Sequence, residues 1–206
     1  MLEQTIPDSV TALKTNLAND KFESAFYALG PAIRGYRDYG RHVIVVDGTF
    51  LTGKYRGIVF VAVTQDSNKQ VYPLAVGVGH VENEDTWTWF LRQLENAYGS
   101  PDDLLIVSDG AKSIQNAIKT VFPSAKHGLC IVHMIRNMRS AGETVVQLFK
   151  DAAYAFDLDE CYAKLALLQQ AAPNTYTHIM NIGIKRWSRS YCPVSRYHYT
   201  STETAI

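Results

Sequence analysis

The run Val43-Ile44-Val45-Val46, closing on Asp47-Gly48-Thr49, constrains this chain more than any other stretch. Bounded by Arg41 and Gly48, it reads as a strand buried on both faces, which requires a sheet covered on both sides. It ends on a carboxylate, and an ionised carboxylate at the end of a buried strand needs a partner. The pattern returns at Leu104-Leu105-Ile106-Val107-Ser108-Asp109-Gly110. Two strand-end aspartates in one domain suggest a shared metal site. Magnesium prefers hard oxygen ligands and is held by one or two carboxylates, with water and substrate phosphate in its remaining positions. Phosphoryl transfer is therefore the reaction class to expect. Either motif alone equally describes a turn, since Asp and Gly are both common turn residues.

At 206 residues and 47% hydrophobic content, the chain fits one domain, or one domain carrying a large insertion. No apolar stretch approaches membrane-spanning length, and the N-terminus lacks the basic and apolar parts of a signal peptide. A soluble intracellular protein with no membrane partner is expected. Cys130, Cys161 and Cys192 are too few and too widely spaced for a disulfide framework, which points to a reducing compartment.

Twenty basic residues balance twenty acidic ones, which counts against a whole-surface nucleic-acid binder. A local basic face remains. Between Gly183 and Thr202 stand Lys185, Arg186, Arg189 and Arg196, with Trp187, Tyr191, Tyr197 and Tyr199 interleaved and no acidic residue. Rings set among cations suit bases and phosphates. The same residues also describe a helix face whose long cations lie along apolar surface.

Along the chain, residues 1–40 read as a helical lead-in. Its two helical pieces lie between Ser9 and Tyr36, separated at Asn19-Asp20, with Gly30-Pro31 interrupting the second. Residues 41–139 read as an α/β core. After the Asp47 strand, Gly57–Gln65 and Gln70–Val78 form a hairpin across a short polar turn, with Pro73 at an edge or bulge. Asn83 then caps a helix carrying Trp87, Phe90, Leu91, Leu94 and Tyr98 at helical spacing. The Asp109 strand, a helix from about Ala111 to Phe122, and a short strand Lys126–Cys130 complete the order: three strands, helix, strand, helix, strand. Residues 140–198 read as helical, with a break at Pro173, and 199–206 as the start of a last core element.

That order is the order of the ribonuclease H-like fold, a mixed five-stranded sheet with flanking helices, here carrying an all-α insertion before its last element. The residues Val46-Asp47-Gly48-Thr49-Phe50-Leu51-Thr52-Gly53-Lys54-Tyr55, Tyr72-Pro73-Leu74-Ala75, Trp87-Thr88-Trp89-Phe90-Leu91, Ser108-Asp109-Gly110 and Cys130-Ile131-Val132-His133 closely resemble the catalytic domain of Mutator-like transposases. The match runs from about Tyr36 to Arg139. A weaker one continues through Lys185-Arg186-Trp187-Ser188-Arg189-Ser190-Tyr191 and Arg196-Tyr197.

The resemblance implies a cut-and-paste DNA transposase with an Asp-Asp-Glu triad and two divalent metals, Mg2+ or Mn2+, in which Asp47 and Asp109 are the first two acids. Two metals bridged by carboxylates serve an in-line displacement at phosphorus. The implied partners are transposon ends and target DNA, with a homo-oligomer in the full protein and a nuclear location in a eukaryote. Glu203, in Tyr199-Thr200-Ser201-Thr202-Glu203-Thr204, is the candidate third acid. The family spacing equally allows that acid to fall past Ile206, and Glu203 then reads as a helix N-terminal acid.

Cys130 and His133 form the family's Cys-x-x-His signature. It supplies half of a zinc site at most, because structural zinc takes four ligands, so zinc is not expected. His133 is expected to face metal-bound water, phosphate or DNA, or else to be a buried histidine bonded to backbone, with Cys130 packed as a small apolar group. Trp187 is a candidate for stacking on a flipped base or for core packing. A transposase-derived DNA-binding regulator without catalysis is the alternative function. A ribonuclease H-like exonuclease lacks its usual Asp-x-Glu pair, since Gly48 and Thr49 follow Asp47.

Overall fold

The computed structural model describes residues 5–54, 56–66, 70–138 and 141–191. Among these, seven strands form one mixed sheet: β1 (Val10–Thr15), β2 (Phe22–Ala28), β3 (Val43–Leu51), β4 (Gly57–Gln65), β5 (Val71–Gly79), β6 (Leu105–Ser108) and β7 (Lys126–Leu129). Their order is β1-β2-β5-β4-β3-β6-β7, so the expected five strands are extended by two. β3, β6 and β7 run parallel to one another, and the other pairings are antiparallel.

The two extra strands correct the reading of residues 1–40 as helical. β1 and β2 form a hairpin turning through Asn16–Lys21, where Asn16 Oδ1 accepts the Ala18 N–H and Asp20 adopts φ +52°. Alanine-rich sequence around Ala25 and Ala28 favours helix locally, but the edge of β5 offers unpaired backbone groups, and β2 takes them with Ser24–Ala28 against Ala75–Gly79. Phe26 then packs on Phe90 with ring centroids 5.5 Å apart. The glycine and proline at 30 and 31 start helix α1 (Gly30–Tyr39) instead of interrupting one, because proline's missing N–H costs nothing in a first turn.

The hairpin β4–β5 matches expectation, and Pro73 stands opposite Val63 beside a shift of register, at a bulge. Helix α2 (Glu84–Tyr98) is capped by Asn83, whose Oδ1 accepts the Thr86 N–H at 2.9 Å. Its Trp87, Phe90, Leu91 and Leu94 are fully buried. Together with helix α3 (Lys112–Val121), α1 and α2 cover one sheet face through Ile44, Val46, Phe60 and Ile106. The Phe60 ring meets Trp87 edge-on at 4.6 Å, so Trp87 packs in the core.

On the other face Val43, Val45, Val63, Leu105 and Val107 gather with Cys130. Cys130 precedes helix α4 (Ile131–Asn137). Beyond it come α5 (Glu143–Tyr154), α6 (Leu158–Ala171), α7 (Pro173–Ile182) and a 3-10 turn, Ile184–Arg186. The expected helical character holds here, but Pro173 begins α7, as Pro31 helps to begin α1. These helices share a second core of Met134, Phe149, Cys161, Leu165, Leu168, Ile179 and Trp187, which also takes in Leu129 from β7.

Candidate active site

β3 changes its pairing at Asp47. Its parallel ladder with β6 runs from Val43↔Leu105 to Val45↔Val107, whereas its antiparallel ladder with β4 continues through Asp47↔Val61 to Leu51↔Gly57. Continued two residues, the parallel register sets Asp47 level with Asp109. Side chains alternate along a strand, so Asp47 shares the face of Val43 and Val45. Asp109 directly follows β6, two residues after Val107. Val43, Val45 and Val107 belong to the cluster that contains Cys130. Asp47 thus stands just past the end of the β3–β6 parallel ladder, Asp109 just past β6 and Cys130 just past β7, the side of the parallel strands where open α/β sheets hold ligands.

The two Asp-Gly pairs differ. The first is not a turn, since β3 runs on past it; a Cβ at Gly48 would lie 2.7 Å from Ile58 Cδ1 and 3.2 Å from Trp87 Cζ2, so close packing requires the glycine. The second is a turn. Gly110 has φ +86°, and Asp109 Oδ1 accepts the Ala111 N–H at 2.8 Å. A side chain at Gly110 is strained twice, by the backbone and by Leu129 Cδ2 at 2.7 Å from the added Cβ. Gly110→Ala is expected to destabilise the fold by about 1–3 kcal/mol in urea denaturation.

Asp47 is only 3% exposed, and its Oδ1 accepts the Gly48 N–H at 2.8 Å. His133, in the first turn of α4, is half-buried. Its pKa is raised, first by a side-chain hydrogen bond with Cys130 and further by the charges of Cys130, Asp47 and Asp109, against the opposing effect of burial. Both aspartates therefore lie within electrostatic reach of this imidazole, which is expected to stay protonated above the ordinary histidine range. The stabilisation is complete below the unfolded pKa and disappears as pH rises through the higher folded value. An NMR titration should show the His133 pKa falling most in Cys130→Ala, and by less in Asp47→Asn and Asp109→Asn.

Cys130 is buried and packs with the valines of its face, as expected. Among the described residues no three His, Cys, Asp or Glu side chains are grouped to hold a metal. Two carboxylates, as hard oxygen donors, still fit the chemistry of a magnesium-like ion that takes its other ligands from water and phosphate. Glu203, Arg196 and Cys192 lie outside the described residues.

The basic segment is less open than its composition suggests. Lys185 is exposed. Arg186 Nη2 lies 3.1 Å from His127 Nδ1, and the Arg189 guanidinium carbon sits 3.7 Å over the Phe156 ring. Trp187 is fully buried against Phe149, with Nε1 donating to the Ile179 carbonyl at 3.2 Å. A buried indole has no face to offer a base, so of its two expected roles Trp187 takes core packing. The polar residues missed in the sequence are His127 and Ser108, joined at 2.8 Å. Their contact rests on the β6–β7 pairing, which no local spacing announces.

Residues 43–137, in the sheet-centred part of the chain, match the family model described as the MULE transposase domain. The transposase for insertion sequence element IS905 of Lactococcus lactis is 31% identical over 105 residues, covering 48% of this chain and 26% of that protein. The transposase for insertion sequence element IS256 in transposon Tn4001 of Staphylococcus aureus is 29% identical over 80 residues, covering 39% of this chain and 20% of that protein. The chain thus spans about a quarter or less of the length of these relatives. Among solved structures, the HTLV-2 integrase catalytic core domain in complex with magnesium aligns with 70% of this chain and 82% of its own, at 16% identity and a TM-score of 0.32. No helix among the described residues is long and apolar enough to cross a membrane.

Proposed function

We propose that this chain is the catalytic part of a cut-and-paste DNA transposase with a ribonuclease H-like core. The observation that supports the reading is the parallel pairing of β3 with β6, which ends at Val45↔Val107, two residues before Asp47 and Asp109. The central strands β5-β4-β3-β6-β7 have the antiparallel-then-parallel order expected of that core. Asp47 and Asp109 would hold Mg2+ or Mn2+, which when bound stabilises charge at the attacked phosphorus. Asp47, the buried member of the pair, would be the main holder of such ions. The hydrogen bond with Cys130 and the charges of Cys130, Asp47 and Asp109 raise the His133 pKa, and in its protonated form the ring would attract the DNA phosphate and offset part of the carboxylate charge. Glu203 is proposed as the third acid. Transposon ends and target DNA are the proposed partners, bound by an oligomer of the full protein inside the cell.

Among the described residues of the basic segment Lys185 is the exposed cation and is assigned to phosphate contact, whereas Arg186 and Arg189 are engaged within the protein. Supercoiled DNA incubated with the chain should be nicked in Mn2+ and left intact in EDTA. Lys185→Ala should lower DNA affinity uniformly across sequences and flatten the log–log salt slope by about one. DNA left uncut and unbound in Mn2+ would reject the reading for this chain.

A further inference from the structure

Both ring nitrogens of His127, on β7, are engaged: Nε2 lies 2.8 Å from Ser108 Oγ and Nδ1 lies 3.1 Å from Arg186 Nη2. A guanidinium has donors only, so Nδ1 must accept and the ring proton sits on Nε2, where it donates to Ser108 Oγ. That oxygen also accepts the Gly110 N–H at 3.2 Å. Three hydrogen bonds thus link the 3-10 turn Ile184–Arg186 to the turn that carries Asp109, two donated from Arg186 and His127 towards Ser108 and the third donated to the same Ser108 Oγ by Gly110. The same turn is closed by Asp109 Oδ1 on the Ala111 N–H and by Gln115 Nε2 on the Gly110 carbonyl.

Strand alternation puts Ser108 on the sheet face opposite Val107. The chain of bonds holds the last residue of β6, immediately before the acid. Arg186 is half-buried, as a structural donor would be, and burial lowers its pKa.

We propose that Arg186 is a positioning residue: acting through His127 and Ser108, it fixes the orientation of Asp109 and so couples the seating of the helical unit to the readiness of the acid pair. The inference rests on the reading of Asp109 as a metal-holding acid. It separates Arg186 from the phosphate-binding cations with which its sequence groups it. A guanidinium's fixed fork sets the imidazole tautomer, which a lysine ammonium on a flexible stem does not reproduce.

The first test is the His127 tautomer in the 206-residue chain, read from long-range nitrogen–proton NMR spectra. A single Nε2–H form is expected; an Nδ1–H form or a tautomer mixture overturns the proposal. Next, Arg186→Ala, Arg186→Lys and His127→Ala, each checked for fold by circular dichroism, are compared for Gly110 amide exchange, DNA affinity and the Mn2+ concentration giving half-maximal nicking. All three are expected to speed Gly110 exchange and to raise the Mn2+ requirement by about ten-fold, the scale of lost support behind a metal ligand, with DNA affinity unchanged. His127→Gln, whose amide N–H reaches the Nε2 position, should recover much of the loss. Weakened DNA binding in Arg186→Ala that Arg186→Lys restores, with His127→Ala unaffected, would make Arg186 a phosphate contact and overturn the proposal. A chain that nicks no DNA defeats the transposase reading alone, because tautomer and exchange still decide the relay.

Discussion

Asp47→Asn is expected to abolish Mn2+-dependent DNA nicking, by on the order of a thousand-fold or more, while the protein stays folded with equal or higher thermal stability. The loss follows from removing one of two carboxylates that would hold the ion, on the scale of deleting a main charge-stabilising group. The retained stability follows from the site. Asp47 is 3% exposed, so its ionised form bears the cost of desolvation. The asparagine oxygen can still accept the Gly48 N–H that Asp47 Oδ1 accepts. A structural aspartate would behave oppositely, with Asn lowering stability and leaving nicking intact. Nicking and differential scanning calorimetry on one preparation separate the two.

Trp187→Ala should cost about 3–5 kcal/mol of folding stability, the usual range for truncating a buried aromatic. Trp187 is fully buried, its ring 5.3 Å from that of Phe149 and its indole N–H spent on the Ile179 carbonyl. It joins the 3-10 turn to α5 and α7, so its loss should loosen the helical unit first. Hydrogen exchange would show this as deprotection of α5–α7 ahead of the sheet. An unchanged denaturation midpoint with DNA binding weakened by about 1–3 kcal/mol is the signature of a base-stacking ring, and would contradict the packing role.

What could be read from the sequence divides along physical lines. The Asp47 strand, the hairpin after it, the capped helix with Trp87 and the strand at Leu105–Ser108 each carry their signal in a few neighbouring residues. The two candidate acids stand out for the same reason, as aspartates that each follow an apolar run. β1 and β2 were not, because what makes them strands is the edge of β5, some fifty residues further along the chain. Pro31 and Pro173 were read as breaks, though proline also suits a first helical turn, and only packing distinguishes the two. Within the site, composition placed Arg186 and Arg189 among solvent-facing cations. The folded chain turns one onto His127 and the other onto Phe156. His127 itself acquires partners only once β6 and β7 pair.

The central claim is that Asp47 and Asp109 act as one pair. Isothermal titration of the chain with Mn2+, beside Asp47→Asn and Asp109→Asn, tests it most directly. Saturable binding by the unsubstituted chain that is lost in both variants is the expected result. Binding unchanged in either variant would show that the two carboxylates do not form a shared site.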